Sequence, residues 1–304
     1  MADSSVWGRL TDLYSRANNR AVIIAPFIKV PLFEEILSVI PAAVNDIVCV
    51  TRWSASEVAA GVSDPEIVDI ARSDGRPTIW LCHNLHAKLY VADEALLIGS
   101  ANLTKKGVGK LAESNIEILT SGHIGDPAIT GAWEDAIAQS VPATIETARS
   151  VRKLADRMLA RGVNVMPAEI VSSNAGRRWF PGSRVPAQLF AAHHGDLSKV
   201  PYIAHEDVLI DLAHLDLPPS LDRDQFNNAV KRRLHSIPEL ADLLKNGKMT
   251  SAELEAALRS ACMDNGQDPK IVTDSLVRWL IYFDDEFQQV PTGDYEVRRA
   301  KDLT

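Results

Sequence analysis

The chain has 304 residues, 46% of them apolar and 24% charged, and a net charge of −8. That length holds two ordinary domains or one large one, and the balance is that of a globular protein, not a disordered or fibrous one. No uninterrupted apolar run approaches the ~20 residues that cross a bilayer, and Cys49, Cys82 and Cys262 have neither disulfide nor zinc spacing. The opening Met1–Ser5 has no basic stretch ahead of an apolar core, so a cytoplasmic protein is expected. The acidic total hides a basic segment: residues 149–184 hold eight Arg or Lys against Asp156 and Glu169, a local feature that suits a polyanionic partner.

In chain order, Ala21–Phe27 is a short apolar run of strand length and Leu32–Ile40 has helical periodicity. Asp46–Trp53 reads as a strand, Asp64–Gly75 as a helix opened by Asp-Pro and closed by glycine, and Thr78–Asn84 again as a strand. Then the alternation stops. "HAKLYVA", "ALLIGSA" and "NIEILTS" follow with short connections and no helix between the first two. The prediction is an α/β domain over residues 1–141 with a mixed sheet flanked by helices, its last strands joined as a hairpin. Residues 142–200 are expected to form a connector helix, over 142–161, followed by an irregular basic and aromatic segment. Residues 201–304 read as a mainly helical C-terminal module, with helices over 223–235, 251–263 and 269–287; Thr250 or Ser251 is the N-cap of the second.

The hairpin carries the chemistry. Side chains alternate across a strand, so His86, Lys88 and Tyr90 share one face. Ser100 and Asn102 are likewise two apart. With Asp93-Glu94 as the turn, antiparallel pairing brings Ser100 and Asn102 toward Lys88 and His86. The expected result is a small polar floor of imidazole, ammonium, hydroxyl and amide. Donors and positive charge suit a tetrahedral oxyanion and suit a metal poorly, so neither a metal nor another cofactor is expected.

His86-x-Lys88, four residues to Asp93, then Gly99-Ser100-x-Asn102, closely resembles the HKD motif of the phospholipase D superfamily. The family usually has six residues between the Asp and the Gly; here there are five, a change to the turn, not to the strand faces. The resemblance covers roughly residues 5–125 and implies a phospholipase D-like fold there. It implies that His86 is a nucleophile forming a covalent phosphohistidine, with Lys88, Ser100 and Asn102 holding the nonbridging oxygens. Asp93 and Gly99 would be structural, and Glu117 stands about where the family carries an acid that orients the histidine. The family mechanism needs a second histidine as acid and base. None of His83, His123, His193, His194, His205, His214 and His235 is followed two residues on by lysine. The resemblance therefore implies a homodimer in which a two-fold axis delivers His86 twice.

Lys105, Lys106 and Lys110 would stand at the mouth of such a site, either steering a polyphosphate chain or as ordinary solvated lysines. Arg177, Arg178 and Trp179 mix cations with an aromatic ring. That mixture suits phosphate contacts with base stacking, and equally a loop pinned by its aromatic residues. The leading expectation is a metal-independent phosphodiesterase cutting nucleic acid, DNA or RNA, in host defence or nucleic-acid processing, with a protein partner or nucleic acid bound by the helical C-terminal module. A lipid phosphodiesterase or transphosphatidylase and a catalytically silent scaffold are the alternatives.

Overall fold

The structure, a computed structural model, describes residues 5–161, 178–290 and 296–300. The chain divides into two units, Met1–Ala155 with Pro218–Ser220, and Asp156–Leu217 with Leu221–Thr304. In the first, α1 (Val6–Ser15) opens on Ser5, whose hydroxyl accepts the Gly8 N–H at 3.0 Å. Then come β1 (Arg20–Ile24), α2 (Val30–Val39), β2 (Asp46–Thr51), α3 (Ala55–Ala59), α4 (Ile67–Asp74) and β3 (Pro77–Leu81). The hairpin follows as β4 (Lys88–Ala92) and β5 (Ala95–Gly99), then β6 (Leu119–His123), α5 (Pro127–Ala138), β7 (Val141–Pro142) and α6 (Ile145–Ala160).

These strands form one seven-stranded mixed sheet in the order β6-β5-β4-β1-β2-β3-β7. β1, β2 and β3 are parallel, and the other pairings are antiparallel. Alternate side chains feed two cores. Ile23, Tyr90 and Leu97 pack with Leu10 of α1, Phe33 and Ile36 of α2, Ile67 of α4 and Val151 of α6. Val22, Ile24, Leu89, Val91 and Leu96 face the other way, onto Trp133 and Ala136 of α5. Each such buried aliphatic side chain contributes about 1.5–3 kcal/mol, and the two-sided burial accounts for the near-continuous apolar runs of β1, β2 and β4.

Three helices of this unit, α1, α3 and α5, have no counterpart in the periodicity reading, and the strand expected over "NIEILTS" begins late, at Leu119. Residues 115–118 give their backbone bonds elsewhere: Asn115 N–H to Lys106 O at 3.2 Å, and Ile118 to Ser100 in both directions.

The second unit contains α7 (Leu189–His193), α8 (His205–Leu215), α9 (Arg223–His235), α10 (Ala241–Asn246), α11 (Ser251–Asn265) and α12 (Pro269–Phe283). Thr250 caps α11 in a reciprocal capping box with Glu253. α12 stops before 287 because the buried Asp284 turns the chain, accepting from Lys231 and His235, both at 2.7 Å. Beyond the helices lies a three-stranded antiparallel sheet of β8 (Lys248–Thr250), β9 (Phe287–Val290) and β10 (Glu296–Arg299), in the order β8-β10-β9. Strands of three and four residues are too short to show an alternation, so the sequence reads only as mainly helical. Among the described residues no helix is long and apolar enough to cross a membrane.

Asp211 of α8 organises the start of this unit. Fully buried, its carboxylate accepts Trp179 Nε1 at 3.1 Å, Gly182 N at 3.0 Å and Ser183 N at 2.7 Å. Burial outweighs these donors and pushes the carboxyl up to about 7. An unfolded-chain aspartate titrates near ~3.9, so between those values the folded chain holds a proton that the unfolded chain has lost. This contribution to stability is complete at low pH and is lost as the pH rises through about 7. Urea unfolding followed by tryptophan fluorescence should show lower stability at pH 8 than at pH 5, with the difference reduced in Asp211→Asn.

Candidate active site

β4 begins at the sheet end where the parallel strands β1, β2 and β3 finish, the place where α/β sheets commonly bind ligands. Lys88 is the first residue of β4 and lies opposite Gly99, the last of β5. The Lys88 side chain is buried, and its Nζ donates to His86 O at 2.8 Å. An ammonium removed from water needs such an acceptor. His86 stands just ahead of the strand and is exposed.

The ladder ends at Gly99, where β5 passes close to the segment before β6. A β-carbon there would lie 1.7 Å from Ile118 O, so only glycine allows the two backbones to meet. Ser100 is then tied to the same segment, its N–H to Ile118 O at 2.9 Å and its hydroxyl accepting Ile118 N–H at 3.0 Å. The hydroxyl also donates to Glu117, which accepts a second bond from Asn115 Nδ2 at 3.0 Å. Ser100 and Asn102 thus belong to no strand, and the shared strand face expected for them does not form. Instead the chain crosses to the segment after β1. Asn102 Oδ1 accepts Phe27 N–H at 3.2 Å, Leu103 N–H bonds Phe27 O at 3.1 Å, and Leu103 O accepts Lys29 N–H at 3.0 Å. Tyr90, buried on β4, holds the crossing by donating to Ala101 O at 2.7 Å.

His86, Lys88, Ser100 and Asn102 therefore stand on segments gathered at one end of the sheet. Asp93 is at the other, about 15 Å away for a five-residue strand. It occupies the two-residue turn with φ 54°, and its carboxylate accepts the Asn18, Asn19 and Arg20 N–H groups at 2.9, 2.9 and 3.0 Å. Those bonds, Arg20's foremost, hold its pKa below the usual carboxylate range.

Of the loop lysines, Lys105 and Lys106 are exposed just after Asn102. Lys110 pairs with Glu35 and sits 3.9 Å over the Trp7 ring. Arg177 lies outside the described residues. Arg178 and Trp179 belong to the second unit, Arg178 paired with Glu239 and Trp179 packed edge-on against Trp279 at 5.8 Å.

Three residues at the motif end carry no sequence signature: Tyr90, Phe27 and Arg52. Tyr90 shares Lys88's parity on β4, which is the only hint the sequence offers. Among the described residues no three His, Cys, Asp or Glu side chains converge as a metal requires. A cavity of about 610 Å³ lined by Arg9, Arg16, Asn19, Glu94 and Ser121 lies at the turn end of the hairpin, away from His86.

No protein-family model matches the chain, and no curated protein matches it. Among solved structures it is similar to NucT from Helicobacter pylori, with 14% identity and a TM-score of 0.31, over 45% of this chain and 90% of that one. A likeness that loose settles neither fold nor activity.

Gly99→Ala forces the backbones at Gly99 and Ile118 apart. It should destabilise the protein by more than about 3 kcal/mol, while Tyr90→Phe, which leaves Ala101 O unpaired, should cost about 1–3 kcal/mol. Thermal and urea unfolding of the two variants would check both values.

Proposed function

We propose that the chain is a metal-independent phosphodiesterase of the phospholipase D type that cleaves nucleic acid. The observation that carries this reading is the hairpin register together with the Phe27–Asn102 bond, which gathers His86, Lys88, Ser100 and Asn102 at one end of the sheet. In the reaction an imidazole nitrogen of His86 attacks phosphorus and the bond to the leaving oxygen breaks, giving a phosphohistidine. The His86 of a second copy donates the proton to that oxygen, then takes one from the water that releases the phosphate. Lys88, Ser100 and Asn102 hold the oxygens on which charge accumulates. Glu117 orients the site through the groups around it, its bond to Ser100 being the contact at hand. The exposed Lys105 and Lys106 steer a polyanion toward it.

We assign the chemistry to residues 1–141 as a homodimer, treat residues 142–200 as the connector, and assign residues 201–304 to binding a protein partner or nucleic acid.

Plasmid DNA and single-stranded RNA incubated with the protein in EDTA should be degraded, and His86→Ala should lower the rate on the order of 10³-fold or more. Mass spectrometry of base-quenched reactions should find the phosphoryl adduct on His86, and light scattering should give twice the chain mass. Cleavage that survives His86→Ala, or that disappears in EDTA, overturns the mechanism. Release of choline from phosphatidylcholine with nucleic acids untouched would point to a lipid substrate. Inertness toward every phosphodiester would point to a scaffold.

A further inference from the structure

Arg52 follows the last residue of β2, at the sheet end that holds His86 and Asn102, and its side chain is only 13% exposed. Its Nη1 donates to Leu85 O at 2.8 Å, the carbonyl one residue before His86. Its Nε donates to Glu57 Oε1 at 2.9 Å, and Nη2 reaches the same oxygen. The guanidinium lies 5.2 Å from the centre of the Phe27 ring, and Phe27 is the residue whose N–H holds Asn102. One planar cation therefore bonds the peptide before His86 and lies over the side chain of the residue whose N–H holds Asn102.

The loop between β3 and β4 has no strand ladder of its own to fix His86. It is held instead at its peptide groups. Leu85 N–H bonds Cys82 O at 3.1 Å, Leu85 O takes Arg52, and His86 O takes Lys88 Nζ at 2.8 Å. The carbonyls on either side of the His86 α-carbon are thus each bound by a cation. Glu57, 3% exposed on α3, fixes the direction of the guanidinium. A guanidinium presents its donors in a rigid fork, so it can grip Glu57 and Leu85 O at once in set directions, whereas an ammonium on a flexible stem cannot.

We propose that Arg52, oriented by Glu57, is a positioning residue for the candidate nucleophile: through the Leu85 peptide it sets the direction of the His86 imidazole, and through Phe27 it keeps Asn102 in register with it. This rests on the phosphodiesterase reading above.

The test uses the full chain with Arg52→Lys, Arg52→Ala and Glu57→Gln. Displacing a reacting group by about 1 Å costs on the order of 10²-fold in rate, so kcat should fall by about that factor in each variant with KM nearly unchanged. Millimolar guanidinium should partly restore Arg52→Ala and leave wild type unaffected. Imidazole NMR spectra, with the His86 signal assigned by its loss in His86→Ala, should show that signal shifted or broadened in Arg52→Lys while the other histidines stay in place. A variant that keeps wild-type kcat and an unchanged His86 signal overturns the proposal. So does a uniform loss of folded protein that guanidinium does not relieve, which would make Arg52 a stability residue only. If wild type itself cleaves nothing, the phosphodiesterase reading fails, and the His86 signal still decides whether Arg52 holds that ring.

Discussion

The close passage of Gly99 beside Ile118 organises everything else at the candidate site. The β4–β5 ladder ends at the Lys88–Gly99 pair, and on its other side Gly99 lies so close to the Ile118 backbone that a β-carbon would collide with Ile118 O. Ser100 is captured by the 117–118 segment, and the chain is turned across the sheet end to Phe27, where Asn102 is caught. The segments that carry the motif residues are thus gathered at the strand's end, beside a backbone contact that no side chain could share. A strict continuation of the strand would have put Ser100 on the opposite face from Lys88.

The hairpin is secured at its two ends by opposite charges acting on the backbone. At the turn, the Asp93 carboxylate gathers three N–H groups from the α1–β1 connection. At the motif end, Lys88 and Arg52 each bind a carbonyl beside His86. Both arrangements satisfy backbone groups that lie outside the ladders, and at the motif end they give the buried Lys88 and largely buried Arg52 the acceptors that their burial demands.

The second unit spends its conspicuous residues internally. The Arg and Trp of the stretch that suggested phosphate and base contacts are engaged with Glu239, Asp211 and Trp279. Asp211 does for residues 179–183 what Asp93 does for the α1–β1 connection, but from a fully buried position, and burial there wins over the same kind of N–H donors. One chain thus shows both outcomes of a carboxylate on backbone amides, and exposure decides between them.

The sequence by itself determined the βα alternation, the hairpin and its turn, the helices over 223–235 and 251–263, and the identity of the motif residues. Each of these is written in a local period, a cap or a fixed spacing along one segment. The strands of the small sheet escaped because their lengths are too short for a period to show. The late start of β6, the departure of the chain after Gly99, the grip of Arg52 on Leu85 and of Phe27 on Asn102, and the enclosure of Trp179 by Asp211 were decided only by tertiary structure. In every case the partners are far apart in the chain, and the deciding quantity is a distance between backbones or the burial of a charge, neither of which leaves a trace in the order of the residues.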